Sequence, residues 1–309
     1  MKKDIIVLED VYKVYESPAG NVVALRGISV QIQNNDIVCV MGPSGSGKTT
    51  MMNIISGLDK PSAGKVIVDN RELNRMDEKE LLEFRRKNIG YIFQNFNLVP
   101  TLTALENVML PRLILGENLS RSEKVAKDLL KSVGLEGKEY RYPEELSGGE
   151  QQRVSVAVAL ANDPKIIIAD EPTGELDIEN AEKVIKLLLG QQKKGKTVII
   201  TTHDPRVARM TNRILILEDG IIKGEYSPHR IDYGISGAIQ EVDVEKSILE
   251  FLERRINEIS QEIERIVEGF RKGEISLGDF LSKYNKLEIL KNAYLEEVNR
   301  IGMIKKGEL

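Results

Sequence analysis

Gly42 to Thr49 read GPSGSGKT, after the apolar run IVCVM and before a helical pattern. This is the phosphate-loop arrangement, in which glycines let the backbone wrap a triphosphate. Gly42, Pro43, Ser44, Gly45, Ser46 and Gly47 supply the wrap; Lys48 offers a charge to the β- and γ-phosphates and Thr49 a hydroxyl to Mg²⁺. Further on, KIIIADE reads as a buried strand with Asp170 at its carboxyl end, placed to hold Mg²⁺ through water. Glu171 follows at once, where a carboxylate can orient or deprotonate an attacking water. His203 ends VIITTHD and Gln94 follows a short strand in YIFQNFN. In open α/β sheets the carboxyl ends of strands carry the ligand. His203 there becomes a γ-phosphate contact, and the Gln94 amide can orient water and ligate the metal. A second anion site is written in LSGGEQQR, where Ser147, Gly148 and Gly149 open a helix and present N–H groups and a hydroxyl. Glu150 beside them is the wrong charge for that task.

These residues need a sheet and helices to hold them. The runs at 5–11, 22–32 and 36–42 read as strands, followed by a helix from Lys48 that ends on Gly57. KVIVD, a helix over 77–88 and the strand IGYIF come next, then a mostly helical block over 103–161. Strands at 165–170, 196–202, 212–220 and 221–226 then alternate with helices at 178–194 and 204–210, which implies a parallel sheet covered on both faces. After Glu225 the character changes: SPHRIDYGISG reads as a linker. Beyond it Ile248, Leu252, Ile256, Ile259, Ile263, Ile266 and Phe270 recur at helical spacing. RKGEISLGD interrupts them, and Phe280, Tyr284, Leu287, Leu290, Tyr294, Val298 and Ile301 resume it, so a helical hairpin is expected.

The 309 residues are 41% hydrophobic, enough for one large core plus an appendage. With 30% charged residues and a net charge of −4 there is no global basic field, and no nucleic-acid partner is expected. The single cysteine, Cys39, lies in an apolar run and reads as a buried thiol, in keeping with a reducing cytoplasm. Asp4, Glu9 and Asp10 interrupt the start, so no signal peptide is read there, and no apolar run approaches the roughly 20 residues that span a bilayer.

The motifs GPSGSGKTT, IFQ, LSGGE, IIIADEPTGELD and TTHD stand in the order and approximate spacing of the ATP-binding subunits of ABC transporters, and residues 4 to about 226 resemble that family. IGYIFQNFNLVPTLTALENVMLP and GPSGSGKTTMMNIISGLDKPSAG look most like its lipoprotein-release and macrolide-export subgroup. The resemblance implies an α/β fold of the P-loop NTPase, ABC ATPase type, with an antiparallel β subdomain and a helical subdomain at about 95–161. Residues 1–226 would form the ATP-binding domain, 227–240 a linker and 241–309 a C-terminal helical hairpin extension. ATP and Mg²⁺ are the implied ligands. A homodimer, or pairing with another ABC ATPase subunit, and a transmembrane permease subunit are the implied partners. The implied location is cytoplasmic, peripheral on the cytoplasmic face of the cell membrane.

Roles carry over residue by residue. Tyr15 resembles the aromatic that stacks on adenine, although Tyr12 or Tyr15 could instead pack a strand. Gly42 to Thr50 resemble the triphosphate cradle, Glu171 the general base, His203 the γ-phosphate switch, and Gln94 the Mg²⁺ sensor that links to the membrane subunit. Asp177 falls in the loop that crosses between protomers, and Ser147, Gly148 and Gly149 would cap the γ-phosphate of the other protomer. Phe96, Leu98 and Val99 fall where such subunits meet the membrane partner, or else pack the helical subdomain. Three positions depart from the family pattern: Glu150 stands for glutamine, Val158 for an arginine and Glu175 for alanine. Two other classes stay open. A soluble, non-transport ABC ATPase of the chromosome-maintenance or DNA-repair type would need a long helical insertion or zinc-binding cysteines, which this sequence lacks. An ATP-sensing module without turnover would have no use for both Glu171 and His203.

Overall fold

The computed structural model describes residues 3–16, 21–174, 176–227 and 244–281, then positions 283, 284, 287, 288, 291, 292, 295 and 298. The chain divides into two compact units, Met1–Ile231 and Asp232–Leu309.

In the first unit β1 (Asp4–Tyr15) and β2 (Val22–Gln33) pair antiparallel, and β3 (Ile37–Met41) then leaves for a second sheet. A glycine loop leads into α1 (Lys48–Ser56), whose C-cap Gly57 turns left-handed and donates its N–H to the Asn53 and Ile54 carbonyls. β4 (Ala63–Val68) and β5 (Arg71–Glu72) complete the antiparallel sheet in the order β2-β1-β4-β5. α2 (Glu78–Asn88) starts on a reciprocal Asp77–Glu80 capping box and ends on Arg85, Arg86 and Lys87, which suits the helix dipole at both ends. β6 (Ile89–Ile92) leads into α3 (Ala104–Ile114), α4 (Leu119–Ser132) and α5 (Gly148–Leu160), the helical block. β7 (Ile166–Asp170), α6 (Ile178–Gln192), β8 (Thr197–Thr202), α7 (Pro205–Arg209), β9 (Arg213–Glu218) and β10 (Ile221–Tyr226) follow.

The second sheet runs β10-β9-β3-β8-β7-β6. From β9 to β6 every pair is parallel, as the sequence implies, but β10 runs antiparallel to β9. Only the two residues Asp219 and Gly220 join them, both at positive φ, which makes a tight hairpin and leaves no room for a crossover.

Alternation along the strands sorts side chains into two cores. Ile166, Ile168 and Ile199 face one, shared with α1 and the antiparallel sheet through Met51, Met52, Leu25 and Ile6. Ile167, Ala169, Val198 and Ile200 face the other, shared with the helical block through Leu105, Val108, Leu130 and Val154. Apolar residues on both faces are what a sheet buried on both sides requires. Cys39 is fully buried, and burial pushes its thiol up, which removes the reactive thiolate.

In the second unit α8 spans Val244–Arg271. The interruption is shorter than the sequence suggests: residues 272–276 turn and the chain is helical again from 277. Ser276 accepts the Asp279 N–H at 3.2 Å and starts that second helix. Phe270 stacks on Phe280 with centroids 4.4 Å apart, Phe280 meets Tyr284 at 5.4 Å, and Ile259 is buried, so the two stripes close on each other near the turn. The linker beyond Ser227, residues 241–243, the side chains of Ile248 and Leu252, and Leu290, Tyr294 and Ile301 lie outside the described residues.

Candidate functional site

β3 ends at Met41, and the loop of residues 42–47 reverses into α1 around Gly47, which sits at φ 102. A Cβ there would stand 2.6 Å from the Ala24 carbonyl, so only glycine lets the loop close against β2. Inside the loop the Ser46 hydroxyl is buried without a hydrogen-bond partner. An orphaned donor within a ring of backbone amides fits an anion. Lys48 is buried, and its Nζ donates to the carbonyls of Gly42 at 2.9 Å and Pro43 at 3.1 Å. The same ammonium stands 3.4 Å from Glu171 Oε1.

Asp170 and Glu171 take their places from the register of β7 on β8, where Asp170 pairs with Thr201. The Thr201 hydroxyl donates to Asp170 Oδ1 at 2.6 Å and accepts the Glu171 N–H at 2.9 Å. Glu171 itself is left-handed (φ 47), a strained turn for a non-glycine that ends the strand and leaves the carboxylate between Lys48 and His203. His203 Nδ1 lies 3.0 Å from Glu171 Oε2. Gln94 is exposed, with its amide nitrogen 3.7 Å from the point that a Gly174 Cβ would occupy, beside the turn that starts at Glu171. Thr49 is exposed on the first turn of α1.

Burial works against the Glu171 charge, but His203 and Lys48 outweigh it and hold the carboxyl below its usual range. His203 is raised in turn, chiefly by its hydrogen bond to Glu171. The imidazole side chain is 67% exposed, so water screens the pair. For His203 the stabilisation is complete below its ordinary pKa of about 6.5 and is lost as pH rises through the raised value; for Glu171 it is lost only as pH falls through the lowered one. The urea midpoint of the parent should therefore exceed that of His203→Gln most near about pH 5.5, with the gap narrowing toward about pH 9.

Thr49 hydroxyl, Asp170 carboxylate and Gln94 amide are all oxygen donors, which suits a hard cation such as Mg²⁺. Among the described residues no cluster of three or more His, Cys, Asp or Glu could hold a metal alone.

Tyr15 and Tyr12 part company. The Tyr15 hydroxyl donates to Asp59 Oδ2 at 2.9 Å, just past the C-terminal cap of α1. Tyr12 instead sits against Gly27.

The second glycine cluster is a separate structure. Ser147 is the exposed N-cap of α5, closed by a reciprocal box with Glu150: the Ser147 N–H donates to Glu150 Oε2 at 3.0 Å and Ser147 Oγ accepts the Glu150 N–H at 3.4 Å. The other Glu150 oxygen pairs with Lys138. Lys138 first, and the Ser147 N–H second, hold the Glu150 carboxyl low. Gly149 abuts Asn180, which Asp177 and Arg153 fix by bonds of 2.7 and 3.0 Å. Gly148 faces Phe96 and Leu176. The backing of this cluster is thus the loop and helix that follow Glu171, not the phosphate loop.

Phe96, Leu98 and Val99 differ in their surroundings. Leu98 packs on the helical core, Phe96 lies on Gly148 at φ 49, and Val99 stays exposed, its backbone held by Asn107. Val158 lines an apolar groove of 420 Å³ together with Leu82, Arg85, Phe93, Ile114 and Ala159. Glu175 lies outside the described residues. Sequence reasoning missed Thr201, Asn180 and Lys138. For Thr201 a signal existed, a hydroxyl closing an apolar strand two residues before His203; Lys138 carried none.

The model of the family described as ABC transporter matches residues 25–174. The lipoprotein-releasing system ATP-binding protein LolD of Cytophaga hutchinsonii is 42% identical over 221 residues, covering 71% of this chain and 99% of that protein. The macrolide export ATP-binding/permease protein MacB of Mannheimia succiniciproducens is 42% identical over 74% of this chain, which spans 36% of that longer protein. Among solved structures, the dimeric post-hydrolysis state of the cassette MJ0796 of Methanocaldococcus jannaschii, bound to ADP and Pi, superposes with a TM-score of 0.69 at 44% identity, covering 73% of this chain and all of that one.

Proposed function

The chain belongs to the ABC transporter family as an ATP-binding and ATP-hydrolysing subunit, and from that premise we propose how its residues divide the work. Residues 42–50 hold the triphosphate, with Lys48 moving its charge from Glu171 to the β- and γ-phosphates. Thr49, Asp170 and Gln94 hold Mg²⁺, which when bound neutralises phosphate charge. Glu171 takes the proton of the attacking water, while His203 keeps the carboxylate aimed and ionised. Ser147, Gly148 and Gly149 of a second protomer close over the γ-phosphate, because they sit apart from their own phosphate loop. Such a cap makes ATP favour the closed dimer, and its hydrolysis reopens it.

The observation that carries this reading is the chain Lys48–Glu171–His203 at the strand ends, with 3.4 and 3.0 Å separations. The expected partner is a transmembrane permease, as the ATP-binding/permease name of the relative MacB suggests; no helix among the described residues is long and apolar enough to cross a membrane. The apolar groove beside Val158, with Leu82 and Ile114 exposed at it, is the surface assigned to that partner. The names of the relatives favour export or lipoprotein release, and the chain would then lie peripherally on the cytoplasmic face of the membrane. The test is ATP hydrolysis by the purified chain together with recovery of a multispanning protein bound to it from native membranes. A chain that neither hydrolyses ATP nor retains such a partner would contradict the reading.

Glu150 poses less of an obstacle than its charge suggests, because Lys138 already neutralises it. Lys138→Met should weaken the ATP-bound dimer about threefold to tenfold, and Glu150→Gln should tighten it or leave it unchanged, by sedimentation with ATP. A looser dimer in Glu150→Gln would remove the repulsion argument.

A further inference from the structure

Behind the Tyr15 ring lies a small charged assembly that none of the roles above uses. Lys13 Nζ stands 4.8 Å from the ring centroid, donating to Asp59 Oδ1 at 2.6 Å and to the Lys60 carbonyl at 2.9 Å. Its side chain is only 12% exposed, so the cation is pinned there and not a mobile surface charge. Asp59 is the hub: Oδ1 also accepts the Lys60 N–H at 2.7 Å, and Oδ2 accepts the Tyr15 hydroxyl at 2.9 Å. The Asp59 backbone is fixed in turn, its N–H donating to the Asn53 carbonyl just past the Gly57 cap of α1. α1 is the helix that the phosphate loop opens. Burial resists the Asp59 charge, but Lys13 and Tyr15 outweigh it and keep the carboxyl low.

Three consequences follow from elementary chemistry. An ammonium within about 6 Å of an aromatic face is held by the ring quadrupole and draws its electron density. Tyr15 as a residue is still 39% exposed, which leaves its aromatic side chain within reach of a flat base. A platform bonded to Asp59, whose N–H is held by the Asn53 carbonyl of α1, moves with the helix that the phosphate loop opens, so base and triphosphate meet one rigid body.

We propose that Lys13 and Asp59 are positioning residues for nucleotide recognition: Asp59 clamps the Tyr15 hydroxyl and the Lys13 ammonium so that the ring offers one cation-backed face to the base. This rests on the reading of Tyr15 as the base platform given above. Recognition by stacking is tolerant of the base, because every base has a π-face, so GTP should bind nearly as well as ATP.

The test compares MgATP with inorganic tripolyphosphate, which has no base, on the purified full chain. Lys13→Met and Asp59→Asn should raise the KM and Kd for ATP about threefold to tenfold while leaving kcat at saturation and tripolyphosphate affinity unchanged. Lys13→Arg keeps the cation and should return ATP affinity to within about twofold of the parent. Equal losses for ATP and tripolyphosphate would overturn the proposal by placing the damage in the phosphate loop, and so would unchanged ATP affinity. A parent that hydrolyses ATP but binds it no better than tripolyphosphate would overturn the Tyr15 platform alone. A parent with no turnover would overturn the proposed function itself.

Discussion

Glu171→Gln is expected to lower ATP turnover by about 10²- to 10⁴-fold while ATP-bound dimers accumulate, the range that a positioned general base contributes. The amide keeps the size of the carboxylate and the Thr201 bonds to the backbone N–H, so the fold and the nucleotide cradle should persist. What disappears is the charge that takes a proton, together with the anionic partner of Lys48 and His203. Freed of that anion, Lys48 can only favour the phosphates more. Turnover by phosphate release and dimer mass by sedimentation should therefore move in opposite directions. Loss of turnover without dimers would detach the second protomer from the cycle; retained turnover would unseat Glu171 as the base.

Gly149→Ala should act on the dimer and spare the monomer. The added Cβ would lie 2.5 Å from Asn180 Cγ and 2.8 Å from its Cβ, and Asn180 cannot swing away because Asp177 and Arg153 hold both ends of its amide. The first turn of α5 must shift off α6, carrying Ser147 and its N–H groups with it. Overpacking of this kind costs about 1–3 kcal/mol, and where the cost falls on closure the dimer is weakened by up to roughly 150-fold. The phosphate loop shares none of these contacts, so ATP affinity of the monomer should stay at the parent value. Measuring both in the Glu171→Gln background separates them, and an equal loss of monomer affinity would refute the division into two sites.

The legible parts of the molecule were those whose physics is local. A glycine loop between strand and helix, an apolar strand ending in Asp-Glu, and a Ser-Gly-Gly helix start are each written within a few residues, and each stands where the sequence placed it. The illegible parts depend on residues distant in the chain. Lys138 meets Glu150 across a loop, Asn180 backs Gly149 from another helix, and Thr201 bonds the Asp170 carboxylate and the Glu171 N–H from the neighbouring strand. β10 was misread as parallel because apolar alternation reports burial and not direction; the Asp-Gly turn was the better signal. For the hairpin, spacing identified two stripes, and the aromatic contacts at the turn join their near ends.

The pairing of Asp170 with Thr201 also bears on how this enzyme can change over time. The distance between the two carboxylates and their hydroxyl is measured in rungs of a ladder, so it is indifferent to how much chain lies between β7 and β8. Helix α6 and the turns around it can lengthen, shorten or acquire new surface for a different partner without retuning the chemistry. A slip of one rung has the opposite effect: it turns the Thr201 hydroxyl to the other face of the sheet and strips Asp170 of its donor. Variation is cheap in the connections and nearly forbidden in the ladder, which lets one hydrolytic centre be carried unchanged from one cargo to the next.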